Sequence, residues 1–188
     1  MQHKLIIAAA FVSAIFLSSY AADEKVKGWF LAGSNPSEYE IGVEQNAERG
    51  GKVAILKSKT AKVKDGFGTI MQTFDAKLYL GKKLKLTGFI KSKDIKGWAG
   101  MWMRVDDAKG SVSFDNMQDR PIKGNTEWTK YEIVLNVPEN SKTINYGVLV
   151  RNSGQVWIDN LSFEVVGSAE ESTGKTRLMA PKNSNFED

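Results

Sequence analysis

Short runs of alternating apolar and polar residues dominate the chain from Tyr39 to Val166 and predict β-strands. Clusters of turn-forming residues such as RGGK, DAKG, PENS and NSGQ separate the runs. Helical periodicity is scarce in this region, so the crossover helices of a parallel α/β architecture are excluded. Nine strands are predicted, over residues 39–44, 52–58, 68–74, 83–92, 99–106, 111–116, 129–137, 145–152 and 155–166.

The spacing of these strands predicts the fold class. Many short strands within one domain are typical of two antiparallel sheets that share one core, so we expect an all-β jelly-roll β-sandwich over residues 22–166. After Val166 the alternation stops, and residues 167–188 are small, polar and charged. We therefore expect a polar linker or disordered tail there.

The first 21 residues have the pattern of a secretory signal peptide. A charged start is followed by thirteen apolar residues from Leu5 to Leu17, and then by small residues at Ser19 and Ala21. Thirteen apolar residues are too few to span about 30 Å of hydrocarbon, which argues against a membrane anchor. We expect cleavage after Ala21 and an exported protein, either periplasmic or extracellular.

Composition excludes several kinds of chemistry. The chain has no cysteine, and its one histidine, His3, lies in the predicted signal segment. Disulfides, thiol nucleophiles, serine–histidine triads and histidine-ligated zinc are therefore excluded from the exported chain. We expect a noncatalytic protein that needs no cofactor and is stabilised by its core or by a bound ion.

The net charge of +4 is unevenly distributed. Residues 52–96 hold twelve lysines against three aspartates, a local excess of +9, whereas the remainder sums to −5. A basic region of this kind can attract anionic partners. The alternative is that these lysines are simply the solvent-exposed positions of strands. It is favoured because Lys83, Lys85, Lys91 and Lys93 alternate with apolar residues, as the outward positions of strands do.

The segment GWAGMWMRVDD, residues 97–107, contains the first candidate binding site. Strand alternation puts Trp98, Trp102 and Arg104 on one face, with the tryptophans ~13 Å apart. Sugar rings stack on aromatic surfaces and their hydroxyls take directional hydrogen bonds, so this face, joined by Gln72, is a candidate carbohydrate cleft. In the alternative, both faces are buried and Arg104 pairs with Asp115 or Asp119.

The segment FDNMQDRPIKG, residues 114–124, is dense in Asp, Asn and Arg for a plain connection. It is either a loop at the rim of the cleft or a loop whose side chains hold its own backbone, with Pro121 and Gly124 marking turns. Asp115 and Arg120 are its candidate ligand contacts.

The motifs of the chain resemble a known group of folds. Residues 137–166 are similar to the last strands of galactose-binding-like jelly rolls, which include many carbohydrate-binding modules. The resemblance is closer still to a bacterial extracellular domain that often carries the label of transcriptional regulator. It rests on GWFLAG (28–33), YEIG (39–42), FGTIMQ (67–72), GKKLKLTG (81–88), GWAGMWMRVD (97–106), FDNMQDRPIKGNTEW (114–128) and VWIDNLSFEVV (156–166).

One departure from that resemblance concerns the two ends of the domain. Similar jelly rolls open with an Asn-x-x-Phe-Glu strand, whereas this domain opens with ADEKVKGWF and NSNFED appears at residues 183–188. Phe186 and Glu187 either fill the missing place in the same molecule, begin a second domain, or remain free.

The strand QVWIDNLSFEVV raises the question of a metal. Alternation puts Trp157, Asp159 and Leu161 inward, and a lone buried carboxylate is costly unless it is paired or metal-bound. The resemblance implies that Asp159 ligates a structural Ca²⁺, with Glu187, Asp23 or Glu24 replacing the usual glutamate. The alternative is that Asp159 accepts backbone N–H bonds at a bulge.

Three functional hypotheses follow. The first is a secreted, noncatalytic binding module for a polysaccharide or oligosaccharide, and the second is a structural or protein-interaction domain that docks on a protein partner. The third is a glycosidase with its acid and base drawn from the aspartates at 106, 107, 115 and 119. The sequence contains no helix-turn-helix signal and no membrane span, so neither nucleic acid nor a membrane is an expected partner.

Overall fold

The computed structural model describes residues 26–167 and 185–187. The predicted signal segment, residues 1–21, and residues 168–184 of the polar tail lie outside the described residues, so both remain predictions. Within the described part of the chain, no helix is long and apolar enough to cross a bilayer.

Nine antiparallel strands and two short 3₁₀ helices, Pro36–Glu38 and Ala76–Leu78, form the domain, which confirms the all-β prediction. The strands are β1 Phe30–Gly33, β2 Tyr39–Asn46, β3 Gly51–Ser58, β4 Phe67–Asp75, β5 Lys82–Asp107, β6 Gly110–Asp115, β7 Ile122–Val137, β8 Thr143–Arg151 and β9 Gln155–Val165. Two of the predicted strands, 83–92 and 99–106, are halves of β5. The strand β1 was not predicted.

The long strand β5 joins the two layers of the sandwich. Its second half pairs with β8 and β6, and β4 and β1 continue that layer beyond β8. Its first half pairs with β9 and with most of β7, and β3 and β2 continue the other layer beyond β9. The expected two sheets are therefore one hydrogen-bonded sheet that curls over a shared core.

The bend in β5 lies between the two halves. The register with β7 shifts between Ser92 and Ile95 and again between Ile95 and Ala99. Asp94 has a φ of 54° and its backbone N–H donates to the side-chain oxygen of Asn125 at 2.6 Å. This side-chain hydrogen bond replaces a ladder bond where the strand changes layer.

The core holds one face of each layer. Ile70, Met101 and Tyr146 belong to the first layer, and Leu86 and Ile158 to the second, and each is fully buried or nearly so. Lys83, Lys85, Lys91 and Lys93 alternate with the buried positions of β5, as predicted. Three of the strand lysines pair across to carboxylates of neighbouring strands or loops: Lys57 with Glu40, Lys85 with Glu164, and Lys91 with Glu48 and Glu127.

A bulge in β9 corrects the predicted inward face of that strand. The register with β5 shifts between Thr87 and Phe89, and opposite this shift Asn160 has a φ of 49°. The extra residue reverses the alternation, so that Leu161 faces the core while Asp159 lies on the outer face of the second layer, beside the buried hydrophobic core rather than in it.

Residues 185–187 return to the domain. The Phe186 ring has no exposed area and lies 5.3 Å from the ring of Trp29, between ring centroids. Glu187 accepts a hydrogen bond from the backbone N–H of Lys52 at 2.8 Å. NSNFED was predicted to fill a place in its own molecule, to begin a second domain or to remain free. The structure agrees with the first of these, because Phe186 is buried in the core of its own molecule. The predicted tail therefore does not include residues 185–187.

Candidate functional site

An open cleft of about 490 Å³ lies on the outer face of the first layer. It is lined by alternate residues of β1, β4, β8 and β5 together with residues from β6 and the loop after it. The lining residues are Ala32, Gly33, Phe67, Thr69, Met71, Trp98, Trp102, Arg104, Phe114, Asn116, Gln118, Leu149 and Arg151. The cleft therefore contains three of the residues predicted from the sequence, Trp98, Trp102 and Arg104.

Trp102 forms the floor of the cleft. It pairs with Gly147 of β8 and is only 7% exposed. Its indole N–H donates to the Thr69 hydroxyl at 2.8 Å, and that hydroxyl donates to the carbonyl of Val148 at 2.8 Å. These bonds fix the ring in one position, so Trp102 is a structural base of the site as well as part of its surface.

Trp98 offers more of its ring to a ligand. It is only partly buried and stands four residues before Trp102 on the same face of β5. Gly100 lies between them, and a Cβ there would come within 2.8 Å of the Asn116 carbonyl and 3.3 Å of the Trp98 ring. The glycine therefore gives room both to the ring and to the loop that forms the rim of the cleft.

A chain of hydrogen bonds holds Arg104 at one end of the cleft. Its Nε and Nη2 both donate to the Oδ2 atom of Asp106, at 3.1 and 2.8 Å. The side-chain amide of Asn145 donates to the same oxygen at 2.8 Å, and Asn145 in turn accepts from the Thr73 hydroxyl at 2.7 Å. Arg104 thus has its counterion on its own strand rather than at Asp115 or Asp119.

Gln72 is a correction to the predicted site. Its neighbours Thr69 and Met71 face the cleft, so the two-residue period of β4 turns Gln72 to the opposite face. There it is 5% exposed and its Oε1 accepts from the hydroxyl of Tyr146 at 2.9 Å. Burial raises the pKa of Tyr146 far above its ordinary value, which keeps this donor protonated.

Asp115 and Arg120 also lie outside the lining of the cleft. Arg120 donates to Asp115 at 2.6 Å and to Asp119 at 2.8 Å, and these carboxylates raise the pKa of its guanidinium. Asp115 accepts in addition from the backbone N–H of Met117 at 2.8 Å. The side chains of this loop therefore hold its own backbone, which was the alternative to ligand contact.

The four aspartates considered for a glycosidase do not converge in the cleft. Asp106 is paired with Arg104, Asp115 and Asp119 are paired with Arg120, and none of the four is among the lining residues. Asp107 accepts the backbone N–H groups of Lys109 and Gly110 in the β5–β6 turn. A pair of carboxyl groups on either side of one bound sugar is therefore not formed by them in this cleft.

Asp159 has a cation from its own chain. Its Oδ2 accepts from Nε of Arg49 at 2.5 Å, and its Oδ1 accepts from the backbone N–H of Asn160 at 2.8 Å, at the bulge. The Arg49 guanidinium also lies 4.3 Å from the ring centroid of Phe89 and 5.2 Å from that of Trp128. The Asp159 carboxylate is therefore satisfied by a guanidinium and one backbone donor.

The described residues offer Asp159 no further acidic ligand for the calcium ion that the resemblance implied, and the calcium site stays a prediction. Among the described residues no three acidic, histidine or cysteine side chains come together as metal ligands. Glu187 binds the backbone of Lys52, and Asp23 and Glu24 lie outside the described residues. The cation that a lone carboxylate requires is supplied by Arg49.

Several residues of the site were missed in the sequence. Thr69 and Arg151 line the cleft and Asn145 orients Asp106, but none of them stands out in composition or motif. The alternation of β8 contains the signal for two of them, because Asn145, Leu149 and Arg151 share its outward face. Arg49 carries no such signal, since it lies in a turn 110 residues from its partner.

Comparison with known proteins gives one curated relative and many structural neighbours. No family model matches the chain. A protein of Bacillus subtilis (strain 168), named as an uncharacterized HTH-type transcriptional regulator, YbfP, is 46% identical over 161 residues, which cover 85% of this chain and 54% of the relative. The chain thus spans about half the length of that relative. Residues 26–167 and 185–187 contain no α-helix, so they hold no helix-turn-helix.

Similar solved structures share the β-sandwich fold. They include the enzymatically active domain of tailspike protein 4 of bacteriophage CBA120, with a TM-score of 0.57 and 19% identity over 76% of this chain and 20% of that one. The CBM22-1 xylan-binding domain of Paenibacillus barcinonensis Xyn10C has a TM-score of 0.52 and 13% identity, with coverage of 79% and 92%. A Fischerella cyclase has a TM-score of 0.54 and 16% identity, with coverage of 75% and 87%. Binding modules and enzymes are both represented, so at these identities the likeness shows the fold alone.

Proposed function

We propose that this chain is an exported, noncatalytic binding module that holds a polysaccharide or oligosaccharide in the cleft of its first layer. The observation that carries the proposal is the combination of a partly exposed Trp98 ring, a fixed Trp102 floor and polar side chains at the rim. Flat aromatic surface takes the apolar face of a sugar ring, while Arg104, Asn116 and Gln118 offer directional donors to its hydroxyls.

Three further points support the proposal. The xylan-binding domain of Paenibacillus barcinonensis has the same architecture along nearly its whole length. Export follows from the signal pattern of residues 1–21, and a secreted location suits the capture of an extracellular polymer. Noncatalytic binding is consistent with the dispersal of the four aspartates into separate ion pairs and turns.

The match to the B. subtilis protein fits the same proposal. The region shared with this chain is proposed to be a binding part, because the described residues lack the helices that read DNA.

The test is a pull-down on insoluble polysaccharides followed by titration of tryptophan fluorescence with soluble oligosaccharides. Trp98→Ala removes the exposed ring and is expected to weaken binding by about tenfold, which corresponds to ~1.4 kcal/mol of stacking. Trp157→Ala is the matched control, because Trp157 is also partly buried but lies on the outer face of the second layer, bonded to Glu44. It is expected to leave affinity unchanged.

Failure of the folded wild type to bind any glycan overturns the proposal and favours a protein partner. That second function has its own observation, because Phe30 of β1 and Phe114 of β6 are 46% and 54% exposed on edge strands. Large exposed aromatic side chains on strand edges are typical of surfaces that dock on another protein. In that case Phe30→Ala and Phe114→Ala, rather than Trp98→Ala, would abolish partner capture.

A further inference from the structure

The two arginines of the cleft differ in charge balance. Arg104 has the Asp106 carboxylate on two of its nitrogens, so its charge is neutralised inside the protein. Arg151 also lines the cleft, but its guanidinium makes no ion pair or hydrogen bond with any residue in the ranges 26–167 and 185–187. No carboxylate is among the lining residues. The cleft therefore carries one uncompensated positive charge, and that charge lies at the Arg151 end.

The strand register places Arg151 beside the aromatic surface. In β8 it lies opposite Phe67 of β4 on one side and opposite Trp98 of β5 on the other. Arg104 lies six residues beyond Trp98 on β5, so the two arginines are roughly 20 Å apart along the strand direction. A single sugar ring does not reach both. The Arg151 end and the Arg104 end are therefore separate positions along a bound chain.

Desolvation decides what the Arg151 position selects. In the free protein the exposed guanidinium is hydrated and needs no counterion. A saccharide that covers the adjacent Trp98 ring displaces this water, and a neutral sugar then leaves a cation partly buried without a charged partner. A carboxylate offsets that cost, because its two oxygens match the guanidinium fork and form charge-assisted hydrogen bonds.

We propose that the ligand is an acidic saccharide, one that carries uronic-acid carboxylates, and that Arg151 is the residue that selects it. This inference rests on the proposed carbohydrate-binding function and adds the chemical class of the ligand. The Arg104 end, which is neutral overall, binds hydroxyl groups. A saccharide chain that contains both acidic and neutral sugars can place a carboxylate at the Arg151 end and hydroxyl groups at the Arg104 end.

The test compares an acidic polymer with its neutral ester, and adds two polymers of other backbones. Isothermal titration is carried out with oligomers of polygalacturonate and with the same oligomers after methyl esterification, which blocks the carboxylates and keeps the backbone. Xylan oligomers serve as a neutral chain and dextran sulfate as a sulfated one. Wild type is expected to bind the acid at least tenfold more tightly than its ester, and the difference is expected to shrink as salt is added.

Variants then assign the selectivity to one residue. Arg151→Met is expected to bring the acid-to-ester ratio close to one while binding of the ester is kept. Arg151→Lys keeps the positive charge but lacks the two parallel N–H donors of a guanidinium, and it is expected to retain part of the preference for the acid over the ester. Lys62→Met, at an exposed position outside the cleft, removes the same unit of charge and is expected to leave the ratio unchanged.

Each outcome separates the two proposals. Equal binding of acid and ester, or a ratio that survives Arg151→Met, overturns the selection by Arg151 and leaves carbohydrate binding in place. Binding to dextran sulfate but not to polygalacturonate overturns the carboxylate assignment. No binding to any of the four polymers, together with no binding in the pull-down on insoluble polysaccharides, overturns the proposed function itself.

Discussion

Removal of the Phe186 ring tests the packing of residues 185–187 in the core. The ring has no exposed area, lies 5.3 Å from Trp29, and Trp29 lies 5.2 Å from Tyr146 in an edge-to-face contact. Phe→Ala changes in protein cores cost about 3 to 5 kcal/mol. Phe186 enters from a short segment at the margin of the core, which relaxes more easily than a strand, so we expect about 3 kcal/mol for Phe186→Ala.

The expected loss is large enough for a thermal melt. In a domain of this size 1 kcal/mol shifts Tm by about 2 to 4 °C, so the variant is expected to melt about 6 to 12 °C below wild type. Circular dichroism gives Tm, and urea unfolding gives the free energy with an independent check that the m-value is unchanged. Phe114→Ala is the control, because its ring is 54% exposed and its removal is expected to shift stability by less than about 0.5 kcal/mol.

Equal melting temperatures for Phe186→Ala and Phe114→Ala refute the reasoning, because they mean that Phe186 contributes no more to the core than a surface ring does. A loss smaller than that of Phe186→Ala is expected for Glu187→Gln, since the Glu187 carboxylate accepts one exposed hydrogen bond, from the backbone N–H of Lys52.

Three further predictions concern other parts of the domain. Asp159→Asn leaves Arg49 without its counterion and is expected to lower the free energy of unfolding, measured with urea, by about 3 kcal/mol. Addition of calcium or of a chelator is expected to leave the Tm of the wild type unchanged. A rise in Tm with calcium contradicts an ion pair between Asp159 and Arg49. Burial and the neighbouring carboxylate raise the pKa of Tyr39 to about 12, above the value near 10 of an unfolded chain, so stability is full below pH 10 and is lost as the pH rises to 12. Tyr39→Phe is expected to reduce the fall of the urea midpoint between pH 10 and pH 12. A fall as steep as that of the wild type contradicts the role assigned to Tyr39. Trp102→Phe removes the hydrogen bond to Thr69 and is expected to lower the free energy of unfolding by about 1 kcal/mol while the cleft still forms. A variant that loses all saccharide binding but keeps the wild-type Tm contradicts the structural role of Trp102.

Alternation along the chain predicted the fold because each strand of this sandwich has one face in the core. The predicted segment 39–44, for example, starts at the same residue as β2, and the outward lysines of β5 lie where the pattern put them. The two segments of β5 were predicted as separate strands because KDIKGW, residues 93–98, places Lys, Asp and Gly between the two alternating runs. The structure keeps the strand continuous through a local change of register, which a window-based pattern does not distinguish from a loop.

Site residues that share one strand were predicted correctly, whereas the placement of a residue from a second strand on the same face was wrong. Trp98, Trp102 and Arg104 share one strand, so their common face follows from its period. Gln72 was assigned to that face from another strand, and the relative phase of two strands is not contained in either sequence. Asp159 failed for a related reason: the extra residue at Asn160 puts the positions before it out of phase with Leu161, so one continuous alternation through the strand assigns Asp159 to the wrong face.

The position of β5 at the centre of the sheet also governs the order in which the fold can be completed. Its four partners, β6, β7, β8 and β9, all follow it in the chain, and the last of them, β9, pairs with one edge of its first half, so during synthesis that edge stays unpaired until residue 165 has been made. An unpaired strand edge of this kind is a template for pairing with other chains. Lysines alternate along this half of β5, and charged side chains on a strand edge disfavour its pairing with another copy, so the same lysines that face solvent in the folded domain also suit the strand to that interval.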